Sequence, residues 1–131
     1  MYLLDTNVCV QFLRDRDSAI GRRLASVPFG EVTLCTVVKA ELHYGARRSA
    51  NPDRSIQVLE AFFGGLASLP FDDLAAEIYG RIRAHLAQQG ALIGPNDLLI
   101  AATALAYEAT LVTHNTREFA RVPGLQIEDW E

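Results

Sequence analysis

The sequence predicts an α/β fold, a three-layer sandwich with a mainly parallel central sheet flanked by helices. Short apolar or β-branched runs recur along the chain and alternate with stretches of helical periodicity, the pattern of a parallel sheet. Half of the 131 residues are hydrophobic and 21% are charged, enough to bury a core without disulfide or metal staples. No internal repeat, low-complexity stretch or linker divides the chain, so residues 1–131 read as one domain.

Tyr2, Leu3 and Leu4 form the first apolar run, consistent with a buried strand. Asp5-Thr6-Asn7 supplies a turn or helix cap, and residues 8–13 follow as a first helix. Ser18 caps a second helical segment reaching residue 25, before Pro28. Residues 32–36 are β-branched enough for a strand, and 37–48 read as a helix stopped before Asn51-Pro52. Ile56, Leu59 and Phe63 fall at helical spacing within 55–63, and Gly64-Gly65 ends that helix. A short strand is expected near 68–71. The clearest helix comes next: Asp72 or Asp73 caps it, Leu74, Ile78, Ile82 and Leu86 form its stripe, and Gly90 stops it. Pro95 opens a further helix at its first position. Residues 111–113 read as a strand and 125–127 as a last one.

Composition excludes some functions and leaves others open. Asp5 interrupts the first apolar run, so no secretory leader is expected, and residues 98–106 are too few to span a bilayer. Cys9 and Cys35 have no metal-ligand spacing; both are expected in the core of a protein of the reducing cytoplasm. The formal charge of −4 argues on its face against a nucleic-acid binder. Against that, Lys39 is the only lysine among twelve basic residues, and arginine favours bidentate phosphate contact. The arginines also pair: Arg14/Arg16, Arg22/Arg23, Arg47/Arg48 and Arg81/Arg83. Ordinary solvated helix faces explain any single pair equally well. Net charge does not decide the question.

The acids are more informative. Asp5 directly follows the first strand, and ligands of open parallel sheets collect at the carboxyl ends of strands; a plain helix cap is the structural alternative. Glu41 shares a helical face with Val37, Val38, Leu42 and Gly45, while Lys39, His43 and Arg47 lie opposite. A carboxylate in an apolar stripe is costly unless paired or bound to metal. Asp97 stands in the first turn of the helix whose continuation, 98–106, is apolar nearly all round. The helix dipole alone would favour an acid there. After the strand at 111–113, Glu118 joins the others if 116–120 forms a helical turn, and Asn115 is placed to hold water or a hydroxyl.

Carboxylates converging on one sheet edge cannot all stay ionised unaided. Two like charges ~4 Å apart repel by about 4 kcal/mol at an effective dielectric near 20. Protons or cations must relieve this. No lysine or histidine is placed to do so, since Lys39 faces away from Glu41. Oxygen-only ligands select Mg²⁺ or Mn²⁺, metals suited to phosphodiester hydrolysis.

Leu3-Leu4-Asp5-Thr6-Asn7, Glu41 with Leu42 and Gly45, and Asp97-Leu98-Leu99-Ile100-Ala101-Ala102 resemble the VapC toxins of the PIN-domain ribonuclease family. So does Val112-Thr113-His114-Asn115-Thr116-Arg117-Glu118-Phe119, continuing through Pro123-Gly124-Leu125 to Glu128-Asp129-Trp130. Each motif is weak alone; the ordered set covers the whole chain. The resemblance implies a single PIN domain and a Mg²⁺ or Mn²⁺ site built from Asp5, Glu41 and Asp97. Thr6, Asn7 and Thr113 match supporting polar positions. It also implies the toxin of a type II toxin–antitoxin system, an endoribonuclease whose near relatives are associated with the anticodon loop of initiator tRNA. Implied partners are a VapB-like antitoxin and a second copy in a homodimer, with operator DNA reached only through the antitoxin complex. Many PIN domains carry an aspartate where this chain has Asn115, which leaves open whether Glu118 replaces it and whether one or two metals bind.

Two competitors are weaker. An aspartate-nucleophile phosphatase needs a second acid two residues after the first, and Asn7 stands there. A receiver-like signalling module needs adjacent acids near the first strand and a lysine after a late strand; neither is present.

Overall fold

The computed structural model describes all residues, 1–131. In chain order the elements are β1 (Tyr2–Leu4), α1 (Thr6–Arg14), α2 (Ala19–Ser26), β2 (Val32–Cys35), α3 (Thr36–Arg47) and α4 (Pro52–Phe63). Next come β3 (Ala67–Leu69), α5 (Asp73–Gln88), α6 (Pro95–Ala106), β4 (Thr110–Val112), α7 (Thr116–Phe119) and β5 (Ile127–Glu128). The five strands form one sheet in the order β3-β2-β1-β4-β5, and every pairing is parallel. All four residues of β2 are buried, as are Leu3 and Leu4 of β1. Successive strand side chains point to opposite faces, so helices must cover both. α5 packs on α6, and α3 packs on α4 and α1. The three-layer sandwich is therefore present.

Local chemistry sets the helix ends. Ser18 accepts from Gly21 N (3.3 Å), Asn51 from Arg54 N (3.2 Å) and Asp72 from Ala75 N (3.0 Å). Pro95 occupies the first turn of α6, where its missing N–H costs nothing. Gly65 and Gly90, with φ of 96° and 62°, take the left-handed conformation just beyond α4 and α5. Both cysteines are buried and unbridged.

The structure corrects several boundaries. Thr36 belongs to α3 rather than β2. Asn51-Pro52 does not merely stop α3; it caps and opens α4 three residues earlier than the apolar spacing suggests. Leu74 is 50% exposed and Ala75 is buried in its place. A repeat of four residues drifts about 40° per step on a helix of 3.6 residues per turn, so the stripe drawn back from Leu86 leaves the core face by Leu74. The fourth strand begins at Thr110 and ends at Val112, before Thr113. The last strand is Ile127–Glu128, and only the carbonyl of Gln126 reaches back to bond Leu111 N (2.9 Å).

The order of the strands fixes where a ligand can sit. From β1 the chain builds outward through β2 and β3 on one side, then returns to place β4 and β5 on the other. The reversal lies between β1 and β4, the place where open parallel sheets take ligands at their strands' carboxyl ends.

Candidate metal centre

Four residues are buried and polar: Asp5, Thr33, Thr103 and Thr113. Thr33 and Thr103 satisfy backbone carbonyls, of Tyr2 and Leu99, both at 2.8 Å. Asp5 and Thr113 satisfy each other. The Thr113 hydroxyl donates to Asp5 Oδ2 (2.8 Å) across the β1–β4 reversal, and Thr6 N donates to Asp5 Oδ1 (2.8 Å). The cap of α1 thus also spans the reversal.

Hydrogen bonds extend in both directions from this pair. The Thr6 hydroxyl donates to Glu41 Oε1 (2.7 Å), tying α1 to α3. On the other side, Asn115 N donates to the Thr113 hydroxyl (3.0 Å), and Asn115 Nδ2 donates to Glu118 Oε2 (3.1 Å) on α7. The chain Glu41–Thr6–Asp5–Thr113–Asn115–Glu118 is continuous. Glu41 stands beside the buried row Val38, Leu42 and Ala46, half-exposed rather than within it. Asp97 faces the group from the first turn of α6. Burial pushes its carboxyl up to about 6, reinforced by the charges of Asp5, Glu118 and Glu41. Burial also raises the Asp5 carboxyl; the bonds from Thr113 and Thr6 oppose that and the Glu41 charge adds to it.

The structure therefore puts Asp5, Glu41 and Glu118 within charge range of Asp97, with Thr6, Thr113 and Asn115 bonded to the first three, while the one trio with ligand atoms within 4.8 Å of one another is the exposed His114, Asp129 and Glu131. Asn7 is exposed in the first turn of α1, and no side-chain hydrogen bond ties it to the acids. An acid at that position is what a nucleophile-type phosphatase would require.

No ion pair of the protein reaches any of the four carboxylates. Lys39 lies over the Phe63 ring, 4.9 Å from its centroid. His114, adjacent to Thr113 in sequence, turns to Asp129 (3.1 Å) and Glu131 (3.0 Å) instead. Both Asp97 oxygens and one oxygen each of Glu41 and Glu118 make no protein hydrogen bond. Such a donor set, all oxygen and without a counter-charge, fits a hard divalent cation.

Open space flanks Glu41. Two depressions share Glu41 as a wall. One, of 400 Å³, is lined by Thr36, Val37, Tyr44, Asn96 and Leu99. The other, of 390 Å³, runs along Thr6, Arg14, Arg48, Ser49 and Ser55. The largest cavity, 610 Å³, is apolar, lies among α1, α2 and α4, and contains none of the four acids. Tyr44 is a residue that the sequence alone does not single out; its only signal there is a tyrosine one turn from Glu41 on a polar helix face.

The family model for the PIN domain matches residues 2–125. The chain belongs to the PIN-domain family. PIN-domain nucleases depend on a divalent metal, in keeping with the uncompensated acids. Among relatives, the chain is 40% identical over 129 residues to a tRNA(fMet)-specific endonuclease VapC of Shigella flexneri, covering 98% of this chain and 97% of that one. It is 36% identical to ribonuclease VapC2 of Rickettsia felis, over 100% of this chain and 98% of the relative. The PIN fold superposes on VapBC2 of Rickettsia felis, solved with a fragment of its promoter DNA, with a TM-score of 0.92 and 35% identity over 99% and 98% of the chains. For FitAcB of Neisseria gonorrhoeae the TM-score is 0.85 at 30% identity, over 99% and 98%.

Proposed function

We propose that this PIN domain is the toxin of a type II toxin–antitoxin pair, an endoribonuclease that uses Mg²⁺, or Mn²⁺ in its place, to hydrolyse RNA phosphodiester bonds. One observation carries the reading. The charges of Asp5, Glu41 and Glu118, from the cap of α1 and from α3 and α7, all act on Asp97 in α6 at the β1–β4 reversal, and no ion pair reaches any of the four.

Asp5 and Asp97 are the principal ligands in this reading. Asp5 is fixed by two donors, and both Asp97 oxygens are free of protein hydrogen bonds. Glu41, oriented by the Thr6 hydroxyl, ligates or positions the attacking water with its other oxygen. Glu118, held by Asn115, is the fourth acid of the set. Thr113 sets the Asp5 carboxylate, and Asn7 lies on the exposed rim. When bound, the ion acidifies water and neutralises charge developing on the phosphoryl oxygens.

The substrate favoured by the relative's name is initiator tRNA, and the family resemblance points to its anticodon loop as the place of the cut. The partners belong to the same proposal: a VapB-like antitoxin and operator DNA bound through the antitoxin complex, as the DNA-bound VapBC neighbours suggest, and a second copy in a homodimer, as the family resemblance implies. The place of action is the cytoplasm. No helix is long and apolar enough to cross a membrane.

The test is cleavage of initiator and elongator tRNA by the purified chain with Mg²⁺, with EDTA, and by Asp5→Ala. Metal-dependent cutting of initiator tRNA that Asp5→Ala abolishes is the expected result. Cutting that survives both EDTA and the substitution would refute the assignment.

A further inference from the structure

Arg14 and Arg48 have no anionic partner in the protein. Neither takes part in an ion pair or donates a side-chain hydrogen bond, in a protein with sixteen acids against twelve basic residues. They end α1 and α3, where the helix dipole favours a cation. The dipole does not explain why both line the one groove that starts at Thr6 and Glu41.

Tyr44 is the second anomaly. It is 65% exposed, and its hydroxyl has no protein partner. The Arg48 guanidinium stacks on it, 4.8 Å from the ring centroid, and braces the ring. The depression it lines lies on the opposite side of Glu41 from Arg14 and Ser55. Each depression exceeds the roughly 300 Å³ at which ligand pockets begin.

We propose that the two depressions flanking Glu41 are subsites for the single-stranded RNA on either side of the cleaved bond, Tyr44 stacking a base in one and Arg14 with Arg48 holding a phosphate in the other. The inference rests on the nuclease reading and says how that centre seats its substrate. A strand running between the depressions must cross Glu41, which lays a phosphodiester over the acids. Unstacked bases seek aromatic faces, and guanidinium forks match phosphate oxygens. The two arginines also offset the repulsion that four carboxylates exert on an approaching polyanion.

The test pairs two measurements on the full-length chain. The first is binding of a fluorescent single-stranded RNA of about ten nucleotides, with Ca²⁺ in place of Mg²⁺, over a range of salt. The second is Mg²⁺-dependent tRNA cleavage. Tyr44→Ala should weaken RNA binding roughly five- to 150-fold without changing its salt dependence, and Tyr44→Phe should restore it. Arg14→Ala and Arg48→Ala should each flatten the plot of log affinity against log salt by about 0.7. Arg81→Ala, on α5 and outside both depressions, should match the wild type. Wild-type affinity and salt slope in the Tyr44, Arg14 and Arg48 variants would overturn the subsites while leaving the nuclease intact. A change in oligomeric state by light scattering, with RNA affinity unaltered, would overturn them in favour of a protein interface. Loss of cleavage in the wild type itself would instead strike the nuclease reading.

Discussion

Asp5 and Asp72 occupy the same local position and have opposite surroundings. Each comes after a strand of the one sheet and caps the next helix. Asp72, beyond the edge strand β3, is exposed. Ala75 N and the Tyr107 hydroxyl (2.8 Å) donate to it and hold its carboxyl below the usual range. Asp5, beyond the central strand β1, is buried beside Glu41, and burial holds its carboxyl above that range. A cap at the sheet edge is comfortable as an anion; a cap at the reversal is not. What separates a structural aspartate from a candidate ligand is the company the topology gives it, not the motif it belongs to.

Substitution puts the heaviest strain on this distinction. Asp5→Ala and Asp97→Asn should each lower RNA cleavage on the order of a thousandfold or more, the several kcal/mol that a positioned metal supplies. In the absence of metal, Asp97→Asn should raise Tm, because it removes a charge that burial disfavours and three others repel. Asp72→Ala should do the reverse, leaving cleavage within twofold and lowering Tm by a few degrees through loss of a cap. Equal effects on cleavage at positions 5 and 72 would collapse the distinction.

A smaller effect should come from Thr113→Val. It removes the donor to Asp5 Oδ2 and the acceptor for Asn115 N while preserving shape. Support of this kind is worth about 10–100-fold in metal affinity, so the Mg²⁺ concentration for half-maximal cleavage should rise by that factor. An unchanged Mg²⁺ requirement would show that Asp5 needs no such positioning.

The subtlest test is pH. Asp97 binds its proton more tightly in the folded metal-free protein, near pH 6, than in the unfolded chain, near 3.8. That contribution to stability is fully present below about pH 4 and is lost as pH rises through about 6. Metal competes for the same oxygens. The rise in Tm produced by Mg²⁺ should therefore be large at pH 7.5 and shrink steadily below about pH 6. A pH-independent rise would remove Asp97 from the ligand set.

Much of this arrangement is legible in the residues alone. Asp5 after an apolar run, Asp97 at the start of an apolar helix and Glu118 in a helical turn are each set by local pattern, and local pattern is what a sequence displays. Glu41 reads as an acid at the apolar side of α3, though it stands beside the buried row and not in it. The contacts that make a site are not legible, because Thr6 meets Glu41 across 35 positions and Thr113 meets Asp5 across 108. Nor does any periodicity point to Tyr44, whose meaning comes from Arg48 above it and Glu41 beside it. The misplaced stripe at Leu74 and the displaced final strand have a common cause. Side-chain spacing sets a face only approximately, and a pairing of two residues is decided by its neighbour in the sheet.

The span between Asp5 and Thr113 also sets how much of the chain must be made before the site can assemble. A ribosome delivers β1 first and β4 among the last segments, so through most of translation the nascent polypeptide has at most three of its acids and lacks the strand across the reversal. The bond that sets the Asp5 carboxylate can form only once residues 110–113 reach β1.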